Sequence, residues 1–187
     1  GVEIKPPFIQ MPWQEAMDRY GSDKPDTRFG LELQNITEIA STMEFSVFKD
    51  TIANNGIVKC INVKGAGSKY SRKDIDKFTE DIKKYKAKGL AWFKYDGQAV
   101  SGGISKFVTE EVLNKLVEKL GLEKDDLVLI VADQKRQVVK VSLGSLRCKL
   151  AKELGFDNLN IHLDRSNNIT QLDINTVDSK FNRYGVI

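Results

Sequence analysis

Apolar residues become periodic from Leu31 onward. Leu31 and Leu33 alternate with Glu32 and Gln34 as in a short strand. Residues 36–43 then have helical spacing, and Phe45, Val47 and Phe48 add core candidates before Gly56 closes the unit. Residues 57–63 are β-branched and partly alternating and run into Gly65-Ala66-Gly67, which predicts a strand and a turn. Ser71, with Asp74 three residues on, predicts a capped helix that continues to Gly89. At 3.6 residues per turn, Ile75, Phe78, Ile82 and Tyr85 share one side of that helix, and Lys73, Lys77, Lys84 and Lys88 the other. Residues 90–95 form a second strand and Asp96-Gly97 a turn. Thr109 caps a helix with Val112, Leu113, Leu116, Val117 and Leu120 on its apolar face, Glu110 and Glu111 suiting its positive end. The unbroken apolar run 127–131 predicts a central strand covered on at least one face. From Asp133 as cap, a last helix carries Val139, Leu143, Leu146, Leu150 and Leu154 up to Gly155.

Strands interleaved with helices make residues 31–155 an α+β domain, a two-layer sandwich of a small mixed sheet packed against helices. Its expected core gathers Ile75, Phe78, Ile82, Leu116, Leu129 and Leu146. Residues 1–30 read as an irregular lead-in, because Pro6, Pro7 and Pro12 exclude regular structure before a short helical stretch at 13–17, which Gly21 then breaks. Residues 156–187 are rich in Asn, Asp, Ser and Thr with no helical period. They form an atypical tail of short strands and turns or of poorly ordered chain.

The composition, 41% hydrophobic and 29% charged over 187 residues, excludes a wholly disordered or coiled-coil chain. No apolar run reaches the length of a membrane span. The chain opens on Gly1 without an apolar leader and reads as a piece of something longer. Cys60 and Cys148 are the only cysteines and His162 the only histidine, which excludes a disulfide framework or a four-cysteine zinc site and leaves a Ser-His-Asp triad or a multi-histidine metal site almost nothing to draw on. Two cysteines far apart in sequence favour a reducing compartment. Net charge is only +3, but residues 57–94 hold eleven basic side chains against four acidic ones, and the remainder is net acidic. Such a local excess suits an anionic partner, with a solvated lysine face as the plain alternative. Glu80, set between Lys77 and Lys84 at i+3 and i+4 spacing, is expected to weaken the stripe.

The stretch Arg19-Tyr20-Gly21-Ser22-Asp23-Lys24-Pro25-Asp26-Thr27-Arg28-Phe29-Gly30 resembles bacterial-type aspartyl-tRNA synthetases. These carry a Gly-Ser-Asp-Lys-Pro-Asp-x-Arg-Phe motif where the class II catalytic domain is interrupted by an insertion called the GAD domain. The resemblance continues through residues 71–76, 87–94, 104–107, 131–133 and Leu143-Gly144-Ser145-Leu146-Arg147, over about four fifths of the chain. Two departures stand out. Ser101-Gly102-Gly103 replaces a segment in which the family has a proline, and residues 156–187 lack the aromatic-rich strand with which the catalytic domain resumes.

The resemblance implies a parent enzyme, a cytoplasmic homodimer, that activates aspartate with ATP and magnesium and passes it to tRNA. The arginines of the class II motifs, the aspartate-reading Ser-Pro-Gln segment and the anticodon-binding barrel are not in these residues. The chain is therefore expected to hold no catalytic residue, cofactor or metal and to be inactive alone. It would be an accessory domain that supports the catalytic domain and meets tRNA weakly, through backbone contacts from Lys69, Arg72, Lys73, Lys77, Lys84 and Lys88. The alternative is a stand-alone interaction or regulatory module of the same fold, since GAD domains also occur in a tRNA-dependent amidotransferase subunit.

Within the junction motif Gly21, Ser22, Asp23, Lys24, Pro25, Asp26 and Arg28, the side chains have the chemistry to hold a phosphate or carboxylate. The plainer expectation is a turn capped by Ser22 and Asp23, with Asp26 paired to Arg28. Gly65-Ala66-Gly67-Ser68-Lys69 lacks phosphate-loop spacing and reads as a strand-to-helix turn. Trp92, Phe93 and Tyr95 offer stacking surfaces for bases or, on the pattern of a strand, core. Cys148 and His162 read as ordinary residues.

Overall fold

A computed structural model of the chain describes residues 10–156 in full and, beyond them, the backbone of residues 159–163 and 169–174. Helix α1 (Trp13–Tyr20) leads through an irregular segment to a two-residue strand β1 (Gln34–Asn35) and two short helices, α2 (Thr37–Ser41) and α3 (Ser46–Ala53). Strand β2 (Ile57–Val63), helix α4 (Arg72–Lys83) and the hairpin β3 (Ala91–Tyr95) and β4 (Val100–Ser101) follow. A 3-10 turn at Ser105–Phe107, helix α5 (Glu110–Leu120), strand β5 (Asp126–Asp133) and helix α6 (Arg136–Leu154) complete the domain. Strands β6 (Leu159–Leu163) and β7 (Ile169–Ile174) form an antiparallel hairpin of their own.

The sheet has the order β1-β2-β5-β3-β4 and every pairing in it is antiparallel, where a mixed sheet was expected. The reason is the position of β5. It lies between β2 and β3 and opposes both, so those two run parallel without touching. The alternation of side chains along each strand then divides the core. Ile61, Val63, Leu127, Leu129 and Val131 pack with Ile75, Phe78 and Ile82 of α4 and with Val139, Leu143, Leu146 and Leu150 of α6. Val58, Cys60, Phe93, Val128 and Ile130 pack with α2, α3 and α5. The expected sandwich of sheet and helices is present, and shorter helices also cover the other face. That is why the run 127–131 reads as continuously apolar: it is buried on both sides. Leu116, expected beside Ile75 and Leu129, belongs to the second cluster, because α5 packs on the face opposite α4 and α6.

Four further expectations are corrected. Leu31 and Leu33 are not a strand: Leu31 has φ +58°, and the Leu33 N–H donates to the Arg19 carbonyl at 2.8 Å, so the ladder begins only at Gln34. Helix α4 does not reach Gly89. It ends at Lys83, tightens through bonds such as Lys86 N–H to the Lys83 carbonyl, and reverses at Lys86 with φ +72°. The apolar stripe is exhausted at Ile82, and the turn brings Ala87 into the core ahead of β3. Tyr85 consequently leaves the core and, 40% exposed, accepts a hydrogen bond from Ser145 Oγ at 2.9 Å. Val47 is exposed too, while Phe48 beside it is buried.

The departure at Ser101-Gly102-Gly103 has a packing reason. A β-carbon on Gly102, whose φ is +79°, would stand 2.2 Å from the Trp92 ring, and one on Gly103 1.9 Å from the Trp92 carbonyl oxygen. Glycine lets the loop lie directly on that tryptophan.

Candidate functional site at the junction segment and the basic helix

Helix α1 buries Ala16, Met17 and Tyr20 and packs on α6. It is stopped by Gly21 in the left-handed region, φ +69°, whose N–H donates to the Met17 carbonyl at 3.1 Å. Gly21 meets Gly144 of α6 backbone to backbone: a β-carbon on Gly21 would lie 2.1 Å from the Lys140 carbonyl oxygen. Beyond it, Ser22 Oγ accepts from Lys24 N–H at 3.1 Å, and Asp26 Oδ1 accepts from Arg28 N–H at 3.1 Å. The Asp26 carboxylate also pairs with the Arg28 guanidinium at 2.5 Å, which holds Asp26 below the usual carboxylate range. The Ser22 turn and the Asp26–Arg28 pair are as the sequence suggested. Asp23 and Lys24 are exposed, Pro25 half-buried.

The segment is fastened from α6. Arg147, 1% exposed, donates to the main-chain carbonyls of Gly30 (3.0 Å), Asp26 (2.7 Å) and Phe29 (2.8 Å). Its guanidinium carbon lies 4.8 Å from the Tyr20 ring centroid and 4.2 Å from that of Phe29. Burial pulls its pKa down, yet an arginine keeps its proton at any pH where proteins fold. A second fastening holds α1 itself. Asp18 Oδ1 pairs with Lys140 Nζ at 2.6 Å and lies 3.7 Å from the buried Lys59 Nζ, which donates to the Asp18 carbonyl at 2.7 Å. The Lys140 hydrogen bond holds Asp18 below its ordinary value, while burial lowers Lys59. A third is the Arg19 fork on Glu32, at 2.7 and 3.0 Å, which depresses the Glu32 pKa. Sequence reading did not single out Arg147, Lys59 or Asp18 as contacts. The available signals were a charged residue in the middle of a β-branched strand at Lys59 and an arginine inside an apolar helix face at Arg147.

On α4 the capping box is complete. Ser71 Oγ accepts from Asp74 N–H, and the Asp74 carboxylate accepts from Ser71 N–H and Oγ. Those bonds, with Lys77, bring the Asp74 pKa down to about 2. The basic stripe is broken up by pairing. Lys77 reaches Asp74 at 3.1 Å, Lys83 reaches Glu80 at 2.6 Å, and Lys84 reaches Asp81 at 2.8 Å, with Lys149 on the same Asp81. Glu80 thus pairs with Lys83, where Lys77 and Lys84 were expected. Lys88 is not on the helix at all, because α4 ends at Lys83. It lines an open groove of about 460 Å³ with Val47, Leu90, Trp92 and Ile104. Lys69, Arg72 and Lys73 are exposed and carry no ion pair among the described residues.

The turn before α4 is occupied by a carboxylate. Asp125 accepts from Ser68 N–H and Ser68 Oγ, both at 2.7 Å, and its carbonyl takes Gly67 N–H at 2.7 Å. With those donors engaged, the loop is a turn and cradles no phosphate. Phe93 and Tyr95 are buried and Trp92 half-buried under the glycine loop, so these aromatics are core. Cys60 is buried, its thiol pushed up to about 12 by burial, and Cys148 is exposed. The His162 side chain lies outside the described residues. Among the described residues no group of His, Cys, Asp and Glu is placed to hold a metal, and no helix is long and apolar enough to cross a membrane.

Residues 48–143 match the family described as GAD domain. Over 154 residues the chain is 54% identical to the aspartate–tRNA(Asp/Asn) ligase of Geobacillus sp. (strain WCH70) and 51% identical to the aspartate–tRNA ligase of Oceanobacillus iheyensis. Over 155 residues it is 50% identical to the aspartate–tRNA ligase of Staphylococcus epidermidis. These alignments cover 82 to 83% of this chain and 26% of each relative, so the chain spans about a quarter of their length.

Proposed function

The chain belongs to the GAD domain family, and on that footing we propose that it is the inserted domain of a bacterial-type aspartate–tRNA ligase, an accessory module mounted on the catalytic domain. The observation that carries this reading is the course of the incoming chain. An inserted domain must take in and give back the polypeptide along one side. Here α1 and residues 21–30 lie along α6, the last helix of the domain.

On this reading residues 1–30 lead out of the catalytic domain, 31–155 form the insertion, and 156–187 are a tail of a different character. ATP and magnesium bind to the catalytic domain of the parent, a cytoplasmic homodimer, and not to this chain. The contribution to tRNA is a weak contact with phosphates, which places the RNA without reading its sequence. Lys69, Arg72 and Lys73 are the side chains best left free for it, since Lys77 and Lys84 already have partners on their own helix.

The test is excision. In the full-length ligase, residues 31–155 are replaced by a short glycine-serine linker. Aspartate-dependent pyrophosphate exchange is expected to persist and charging of tRNA to fall. Charging at the parental rate would sink the accessory role. The 187-residue chain alone is expected to support no pyrophosphate exchange above background.

A further inference from the structure

We infer that Arg147 is a positioning residue. It fixes the course of residues 21–30 and thereby presents the Ser22-Asp23-Lys24 turn to the catalytic domain, an inference that rests on the accessory-domain reading above.

Residues 21–33 contain no helix or strand, so no ladder of backbone bonds sets their path. Local turns at Ser22 and Asp26 shape the segment but do not attach it to the domain. Attachment at its centre comes from one guanidinium, 117 to 121 residues away in sequence, whose three acceptors are main-chain carbonyls. What Arg147 holds is therefore the track of the backbone. The planar fork spans acceptors at residues 26, 29 and 30 while its faces lie against Tyr20 and Phe29. An ammonium has neither the reach nor the flat faces for that geometry.

The cation is nearly fully buried, and among the described residues no carboxylate pairs with it, Asp26 being engaged by Arg28. Carbonyl dipoles and ring faces take the place of a counter-ion. Gly21 pinned on Gly144 at one end and Leu33 bonded to Arg19 at the other leave little slack between. Among the exposed residues of the segment, Asp23 and Lys24 are the charged ones whose side chains are unpartnered among the described residues, Arg28 being paired with Asp26. Two opposite charges held still at the tip of a fastened loop suit a complementary pair of charges on a neighbouring domain.

The test uses the full-length ligase and three kinds of variant. Arg147→Met keeps length and apolar bulk but removes the three hydrogen bonds. Leu150→Ala, on the same helix within the sheet-side core, removes packing and keeps the three Arg147 hydrogen bonds. Asp23→Ala with Lys24→Ala alters only the exposed tip. Charging and aspartate-dependent pyrophosphate exchange are measured well below the melting temperatures, which are also recorded. Arg147→Met is expected to lower kcat for charging by about tenfold, because a misplaced contact costs orientation. Arg147→Lys should fall with it, while Leu150→Ala stays within about twofold of the parent. The tip variant should reproduce the loss at parental melting temperature, which keeps the inference testable if Arg147→Met does not fold.

Equal charging by Arg147→Met and Leu150→Ala at similar melting temperatures, or parental charging by the tip variant, would overturn it. Excision of residues 31–155 separates the two levels. If excision leaves charging intact, the accessory reading itself fails. If excision impairs charging while the tip variant does not, only the positioning role is lost.

Discussion

Gly144 of α6 stands against Gly21 at the end of α1 so closely that a β-carbon on Gly144 would lie 2.7 Å from both the Gly21 and the Tyr20 carbonyl oxygens. Neither neighbour is a flexible side-chain tip, so the backbones themselves must part. Gly144→Ala is expected to destabilise the fold by about 1–3 kcal/mol despite the better helix propensity of alanine. A thermal melt checks this, and an unchanged or raised melting temperature would show that α1 does not dock as described.

The docking of α1 and the shape of the segment that follows it depend on carboxylates. Asp18 and Asp26, ordinarily near 3.8, and Glu32, near 4.5, are all held below those values, chiefly by hydrogen bonds from Lys140, Arg28 and Arg19 respectively. A carboxylate with a depressed folded pKa contributes stability that is present above its unfolded value and lost as pH falls through the folded one. The urea midpoint should therefore hold between about pH 7 and 5 and drop between about pH 4 and 2. The drop should be shallower in Glu32→Gln. A midpoint that stays flat through that acid range would show that these pairs contribute nothing.

Ser71 caps α4 in a complete box, and its loss leaves an N–H without its acceptor. Ser71→Ala should cost about 1 kcal/mol. Lys84→Ala, which removes an exposed, solvent-screened ion pair on the same helix, should cost clearly less. Urea unfolding compares the two, and the reverse order would contradict the assigned cap.

Unpaired cations are the ones free to meet phosphate. In the full-length ligase, Lys69→Glu with Lys73→Glu should weaken tRNA binding and flatten its dependence on salt, by roughly 0.9 in logarithmic slope for each duplex phosphate that is no longer neutralised. KM for ATP and aspartate should not move. Lys77→Glu with Lys84→Glu should do less, since both lysines already face Asp74 and Asp81. A filter-binding salt series decides it, and unchanged binding in the first pair returns these residues to plain solvated surface.

Much of this architecture was legible in the sequence because it is written in local signals. The β-branched run at β2, the continuous apolar run of β5 and the Ser71 and Thr109 caps each announce their element within a few residues. What periodicity does not carry is which layer an element joins. Leu116 and Ile75 have the same helical spacing pattern, yet they lie on opposite faces of the sheet. Tyr85 misled because the spacing continued after the helix had stopped, the reversal falling at Lys86 where no glycine marks it. Of the junction, the Ser22 turn and the Asp26–Arg28 pair were visible as neighbours in sequence. The Arg147 contacts were not, because they join carbonyls more than a hundred residues away, and carbonyls have no sequence.

The central position of β5 governs how the chain can reach its folded state. Strands β2 and β3 do not pair with each other, and they are joined into one sheet only through β5. Until residue 133 has been synthesised, β2 has only the two-residue β1 beside it and β3 only β4, so the apolar edges that β5 covers stay open. Helices such as α4 are built from local contacts, but the β2 and β3 sides of the sheet cannot join before β5 is made. Helix α6 follows β5 directly and carries Arg147, so the fastening of residues 21–30 to the domain requires a helix made more than a hundred residues later.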